Sequence, residues 1–191
     1  MKFTKKLSII VCGLTTAFLH TAVITNTYKS AAQADGQNLI YNGDFEIDPL
    51  IDPNDATISN PNITGWVKSG DPIDTAITRI SNFPYTGNQG VSLGNVSNIT
   101  YLSQNINTVR GQYYQLTYYL ASTEEAPDLK NKFQVFIGEK KVDVKNDIAF
   151  QGYTKYALVF KAKSTSTQIK FGYKVKFAFL YLDDVSVKAI P

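Results

Sequence analysis

An all-β fold, an antiparallel sandwich of two sheets, is what this sequence predicts, and three observations carry the prediction. Apolar residues recur at every second position in run after run from about residue 76 to residue 187. Clusters of Gly, Asn, Asp and Ser separate the runs, as turns between strands require. No stretch holds a helical period for more than one turn.

The elements follow in order along the chain. Asn38-Leu-Ile-Tyr41 reads as a short strand ended by a turn at Asn42-Gly43. Residues 47–64, rich in Asp, Asn and Pro, read as a long loop anchored by Gly65-Trp66. Ala76 to Ile80 is the next candidate strand, followed by a turn from Asn82 to Gln89. Val91 and Leu93 alternate, and so do Leu102, Gln104 and Ile106. Tyr113 to Ala121 gives the clearest pattern: Tyr114, Leu116, Tyr118 and Leu120 on one face, Tyr113, Gln115, Thr117 and Tyr119 on the other. Phe133, Val135 and Ile137 then alternate, as do Tyr156, Leu158 and Phe160, then Ile169 and Phe171, and last Val185 and Val187.

The N-terminal residues read as an export signal. Lys2, Lys5 and Lys6 precede an apolar run from Leu7 to Ile24, and Ala32-Gln33-Ala34 offers small residues for cleavage before Asp35. The alternative, a retained membrane anchor, calls for a longer and less interrupted core. The expectation is a signal over 1–34 and one domain over 35–191, secreted to the cell surface, the medium or a periplasm. The signal holds four of the 19 basic residues and no acidic one, so the net charge moves from +3 to −1 on its removal. The apparent basicity therefore argues for no nucleic-acid partner. The remaining 157 residues suit one domain with a sizeable core.

The only histidine, His20, and the only cysteine, Cys12, both lie in that signal. Nucleophilic triads built on an imidazole base are excluded from the mature domain, as are zinc and copper sites that lean on nitrogen and sulfur. Glycoside hydrolysis needs only two carboxylates. The pairs Glu124-Glu125 and Asp183-Asp184 are adjacent, and neighbours on a strand point to opposite faces. The chain is therefore not expected to be an enzyme.

Calcium wants oxygen ligands alone. Asp44 and Glu46 stand near the start of the domain, and Asp183 and Asp184 near its end. If the first and last strands lie side by side, these acids share one cation; the plainer alternative is a set of solvated turn acids. Asp52-x-Asn54 lacks the Gly and terminal Glu of an EF-hand loop, with Thr57 and Ile63 at those positions. Trp66, following Ile63-Thr-Gly, reads as core before it reads as a sugar platform, and Tyr85, in the turn Pro84-Tyr-Thr-Gly-Asn88, is the better exposed ring. A mixed second face would show Tyr113, Gln115, Thr117, Tyr119, Gln134 and Phe136. Such residues are also ordinary on a solvent-facing strand.

Asn38-Leu-Ile-Tyr-Asn-Gly-Asp-Phe-Glu46, Thr64-Gly-Trp66, Gly111 to Leu120 and Tyr181-Leu-Asp-Asp-Val-Ser-Val187 resemble, in that order, the galactose-binding-like jelly-roll family. The likeness is greatest to carbohydrate-binding modules of bacterial cellulases and xylanases, and to stand-alone secreted proteins with the same opening and closing motifs. It spans nearly all of residues 38–188. The resemblance implies a jelly roll with a structural calcium at the joined ends, held by Glu46, Asp183 and Asp184 with Asp44 beside them. It also implies glycan on a sheet face or at a loop rim. The expectation is a secreted, non-catalytic glycan-binding protein with Tyr85, Gln115, Tyr119, Gln134 and Phe136 as ligand residues. Its partner would be a polysaccharide or glycoconjugate, with no nucleic acid and no stable membrane insertion once the signal is cut. Two other classes compete: a structural or adhesive protein that contacts proteins and has no sugar site, and a small carboxylate-dependent glycan hydrolase.

Overall fold

Among the described residues there are ten strands. They are β1 (Val67–Ser69), β2 (Arg79–Ser81), β3 (Gly90–Leu93), β4 (Thr100–Asn107), β5 (Tyr113–Ser122), β6 (Lys132–Ile137), β7 (Lys140–Asn146), β8 (Gln151–Lys161), β9 (Ser166–Lys174) and β10 (Leu180–Ile190). Eight of them lie over the runs read from the sequence and two, β1 and β7, outside them. The computed structural model describes residues 36–51, 60–72, 77–95, 97–123, 125, 130–175 and 178–191; the expected signal, Asp52, Asn54, Ala76 and Glu124 lie outside them. Among the described residues no helix is long and apolar enough to cross a membrane.

The strands form two five-stranded sheets. Sheet A runs β1-β4-β9-β6-β7 and sheet B runs β2-β3-β10-β5-β8. Every pairing is antiparallel. Only β2–β3 and β6–β7 are consecutive strands of one sheet; every other connection crosses to the opposite sheet. This is the two-sheet jelly roll the sequence predicts.

The core lies between the sheets and follows the period-2 pattern. Tyr114, Leu116, Tyr118 and Leu120 of β5 are fully buried against Phe133 and Val135 of β6 and Ile169, Phe171 and Tyr173 of β9. The Tyr118 ring lies 5.6 Å from Phe133 and 5.4 Å from Phe171, so aromatic contacts tie one sheet to the other. Each such side chain stabilises the fold by about 1.5–3 kcal/mol through burial. Trp66 is core, 8% exposed, packed between Phe45 and Phe171 with its indole N–H donating to the Asn42 carbonyl at 2.9 Å.

The opening segment differs from its expectation: Asn38–Tyr41 joins no sheet ladder. It lies instead beside the second half of β10, where β3 has ended. Leu39 N–H donates to Val187 O and Val185 N–H to Gly43 O, both at 2.8 Å. The two ends of the domain are thus side by side.

Candidate functional site

The joined ends are held by the opening motif itself. Asn38 Oδ1 accepts from Val187 N at 2.9 Å and Ile40 N at 3.0 Å, while its amide donates to Val185 O at 3.2 Å. Gly43 is required by contact: a Cβ there would stand 2.1 Å from Val185 O. Asn42 and Phe45 on either side adopt left-handed backbone, φ 51° and 57°, a conformation Asn tolerates better than other side chains. Asp48, which the sequence reading left within a loop, is buried and accepts from Thr64 N at 2.5 Å and Thr64 Oγ1 at 2.6 Å. Those bonds fix the turn that delivers Trp66 to the core.

The loop from Phe83 to Gln89 is clamped onto this end by carboxylates. Asp183 is completely buried; its Oδ2 accepts from Tyr85 N at 2.7 Å and Thr86 N at 3.2 Å, and its Oδ1 from Asp184 N at 2.7 Å. Burial pushes its carboxyl up to about 7, against the downward pull of those three N–H donors. Glu46 Oε1 accepts from Asn88 N at 2.7 Å and Gln89 N at 2.9 Å. The buried Gln89 amide in turn donates to the carbonyls of Phe45, at 2.6 Å, and Asp48.

Adjacent acids on a strand were expected to point to opposite faces, and Asp183 and Asp184 do not. The β10–β5 register shifts between Asp183 and Ser186, and Asp184 takes φ 45°. This bulge inserts one extra residue, so both acids reach the same loop. Thr86 Oγ1 donates to both Asp184 oxygens at 3.0 Å.

The donor chemistry at this end, oxygen alone, suits calcium. The positions are less suited. Asp183 gives both oxygens to backbone N–H groups, Glu46 gives Oε1 to two backbone N–H groups and Oε2 to the Asn88 side-chain amide, Asp184 is engaged by Thr86 and Asp44 is exposed. Among the described residues no three of His, Cys, Asp and Glu gather so as to hold a metal ion.

A polar groove of about 570 Å³ opens beside the joined ends on the outer face of sheet B. Its floor is Gln115, Thr117 and Tyr119 of β5; the opening segment supplies Asn38 and Asp44, and β10 supplies Asp184. Lys155 of β8, the register partner of Tyr119, closes one side. Tyr85 stacks on Tyr119 with ring centroids 3.8 Å apart and planes at 16°. From there a line of rings continues: Tyr85 to Tyr153 at 5.6 Å, Tyr153 to Phe83 at 5.9 Å, Phe83 to Tyr181 at 4.5 Å and Tyr181 to Phe179 at 6.1 Å. Three of the six remain well exposed, Phe83 at 44%, Tyr85 at 42% and Phe179 at 38%. The Tyr153 hydroxyl donates to Phe83 O at 2.7 Å, and burial holds its phenol protonated far above the ordinary range.

Of the expected ligand residues, Gln115 and Tyr119 share the groove floor with Tyr85 stacked on Tyr119, and two lie elsewhere. Gln134 and Phe136 were expected on the same face, but they lie on the outer face of sheet A. The physical reason is the connection between β5 and β6, which crosses from sheet B to sheet A. Alternation survives the crossing, while the face it describes changes. Around Phe136 stand Tyr101, edge-on at 6.1 Å, and Lys170, whose ammonium is 4.8 Å from the Phe136 ring and 5.4 Å from the Tyr101 ring. The Tyr101 ring lies across Gly172, where a Cβ would stand 2.9 Å from its Cε1. Phe83, Tyr153, Lys155, Tyr101 and Lys170 escaped the sequence reading; Tyr153 and Lys155, two apart on β8, offered a period-2 signal, while the others lie on separate elements.

Comparison with known proteins agrees with this architecture. The chain superposes on TmCBM61, solved in complex with beta-1,4-galactotriose, with a TM-score of 0.60 and 12% identity, covering 81% of this chain and 99% of that one. A tandem CBM22 pair from Paenibacillus barcinonensis Xyn10C gives a TM-score of 0.55 at 13% identity, covering 84% of this chain and 47% of that chain. A CBM4 module gives 0.50 at 16% identity, with coverage of 79% and 99%. These likenesses show the fold, a two-sheet jelly roll shared with carbohydrate-binding modules. No curated protein matches the sequence. Residues 38–177 match a protein family described as "Protein of unknown function (DUF642)".

Proposed function

The chain belongs to the DUF642 family, and from the geometry of its joined ends we propose that it is a secreted, non-catalytic glycan-binding protein. One observation carries the reading: a groove lined with amide, hydroxyl and carboxylate groups opens onto a continuous line of six aromatic rings. Pyranose rings need both, flat apolar faces for their C–H surfaces and planar polar groups for their hydroxyls. Tyr85 and Tyr119 supply the platform at the mouth; Gln115, Asn38 and Asp44 supply hydrogen-bond partners. The fold shared with carbohydrate-binding modules supports the same reading. Secretion rests on the composition of residues 1–34.

The non-catalytic part of this reading is supported by the placement of Asp183, the acids of the groove itself being Asp44 and Asp184. Asp183 is held in the range of a general acid, yet it is fully buried and engaged by three N–H donors, away from the groove. A structural calcium belongs to this proposal as a separate element, supported by the oxygen-only chemistry of Asp44, Glu46, Asp183 and Asp184 at one end of the fold.

The test is a binding panel of soluble and insoluble polysaccharides against the full-length chain and Tyr119→Ala. The wild type should bind at least one polymer, and Tyr119→Ala should weaken that binding about tenfold, the worth of one stacking platform. Folded wild-type protein that binds no polymer sinks the reading. The exposed rings would then favour an adhesive protein whose aromatic line meets another protein.

A further inference from the structure

Two lysines confront each other across neighbouring strands of sheet A. Lys132 of β6 is the register partner of Lys174 of β9, and like charges directly opposite one another destabilise an antiparallel pair. A cleft of about 510 Å³ surrounds them, lined also by Ser97, Asn98, Ile99 and a third lysine, Lys130. Among the described residues no ion pair reaches these three cations.

The cleft opens onto a wider basic face. Inward positions of β6 and β9 hold the buried Phe133, Val135, Ile169, Phe171 and Tyr173. Their outward neighbours, with those of β4 and β7 in register, include Lys132, Lys141, Lys170 and Lys174 and no Asp or Glu. Lys170 stands four residues from Lys174 on β9, about 13 Å along the strand. Between the two cations lie the Tyr101 ring, spread over Gly172, and the Gln134 carboxamide. Phe136 carries Lys170 at 4.8 Å on one side and Lys141 at 5.8 Å on the other. A domain expected to carry a net charge of −1 thus gathers cations on one face, and such a field raises the local concentration of anionic partners.

We infer that this face is a second binding site, for an acidic polysaccharide whose carboxylate or sulfate group enters the Lys130–Lys132–Lys174 cleft. The inference rests on the glycan-binding reading, and it assigns a ligand class and a place distinct from the groove on sheet B. An anionic group between Lys132 and Lys174 turns a repulsive cross-strand pair into two charge-assisted contacts. The chain then runs along the strands over Tyr101 towards Lys170. Lysines with aromatic rings also suit single-stranded nucleic acid; the shared fold favours a glycan.

The experiment compares binding of the full-length chain to a polyuronate, a sulfated polysaccharide, a neutral polysaccharide and a single-stranded oligonucleotide, at low and high salt. The variant is Lys132→Gln with Lys174→Gln, and Tyr119→Ala is the control on the other face. The double variant should lose about tenfold in affinity for the polyuronate or the sulfated polymer. Its binding should lose most of its salt dependence, while its melting temperature stays level or rises as the repulsion is relieved. The stronger of the two acidic polymers identifies the anionic group. Unchanged affinity in the double variant, or tighter binding of the oligonucleotide than of either acidic polymer, overturns the inference. If Tyr119→Ala alone abolishes polymer binding, this second site fails while the groove reading stands. If the folded wild type binds no polysaccharide, both fall.

Discussion

The outer faces of the two sheets are built in different ways. The face of sheet B is assembled by closures between distant parts of the chain: Asn38 to Val187, Gly43 to Val185, Tyr85 and Thr86 to Asp183. The face of sheet A is made by strand neighbours in simple register, Tyr101 with Gly172, Gly172 with Gln134 and Lys170 with Phe136. Chemistry differs in parallel. Asp44 and Asp184 stand against Lys155 and Lys188 around the groove on sheet B, whereas the outward positions of sheet A hold lysines without acids. A site made by closure should be inseparable from stability, and a site made by register should be nearly independent of it.

The largest effect expected is from Gly43→Ala. The added methyl would meet a backbone carbonyl at 2.1 Å, and a main-chain oxygen in the middle of β10 has nowhere to go. The first and last segments must separate, which places the substitution among the rare changes worth roughly 4 kcal/mol or more. Thermal unfolding should show a fall of at least about 10 °C, since each kcal/mol is worth about 2–4 °C in a domain of this size. The register-built face gives the contrast, because the lysine double variant leaves the melting temperature level. A Gly43→Ala protein that melts like wild type would erase the distinction between the two faces.

Asp183→Asn comes next. The amide keeps one acceptor for the loop but sets an NH2 group against a backbone N–H, leaving buried donors without partners. A cost of about 2–3 kcal/mol is expected, or about 5–10 °C. The pH dependence has a definite sign. Burial raises the folded carboxyl to about 7, while the unfolded one keeps the ordinary aspartate value of 3.8. Between those values the unfolded chain has released a proton that the folded chain keeps, so stability from this group falls as pH rises. It is fully present below about pH 4 and spent above about pH 7. In calcium-free buffer, the deficit of Asp183→Asn relative to wild type should therefore shrink from pH 5 to pH 8. A deficit that grows over this range would mean that the carboxylate is stabilised by its donors more than burial opposes it.

What the sequence reveals follows the same division. Tyr114, Leu116, Tyr118 and Leu120 announce a buried face because period-2 burial is a local property of one strand. The closing motif and the opening motif could be matched because both are short and unusual. Sheet membership is not local: Gln115 and Gln134 look alike in pattern, and only the crossover between β5 and β6 separates them. The bulge at Asp184 hides for the same reason, since an extra residue changes facing without changing composition. The aromatic line is assembled from the 83–85 loop, β5, β8 and the start of β10, so no window of sequence contains it. Asp48 carries no signal of its own; its partner Thr64 is 16 residues away, across a loop that reads as solvated.

The smallest effect expected is that of chelation, and its size decides how the joined end is built. A cation bound only to the folded state raises stability with its concentration relative to its dissociation constant. A carboxylate has about four lone-pair directions. Asp183 gives three to N–H donors, Glu46 gives two of its own to the backbone, and Asp184 takes the Thr86 hydroxyl on both oxygens. Lone pairs remain on Asp184 and Glu46, but Asp183 and Glu46 cannot turn to a cation without releasing the 83–89 loop, so removing the metal should lower the melting temperature by no more than about 3 °C, or about 1 kcal/mol. Binding on the sheet A face should not respond at all. A fall of about 10 °C would show instead that these carboxylates turn from the 83–89 loop onto a cation, and that the hydrogen bonds described here belong to the metal-free form alone.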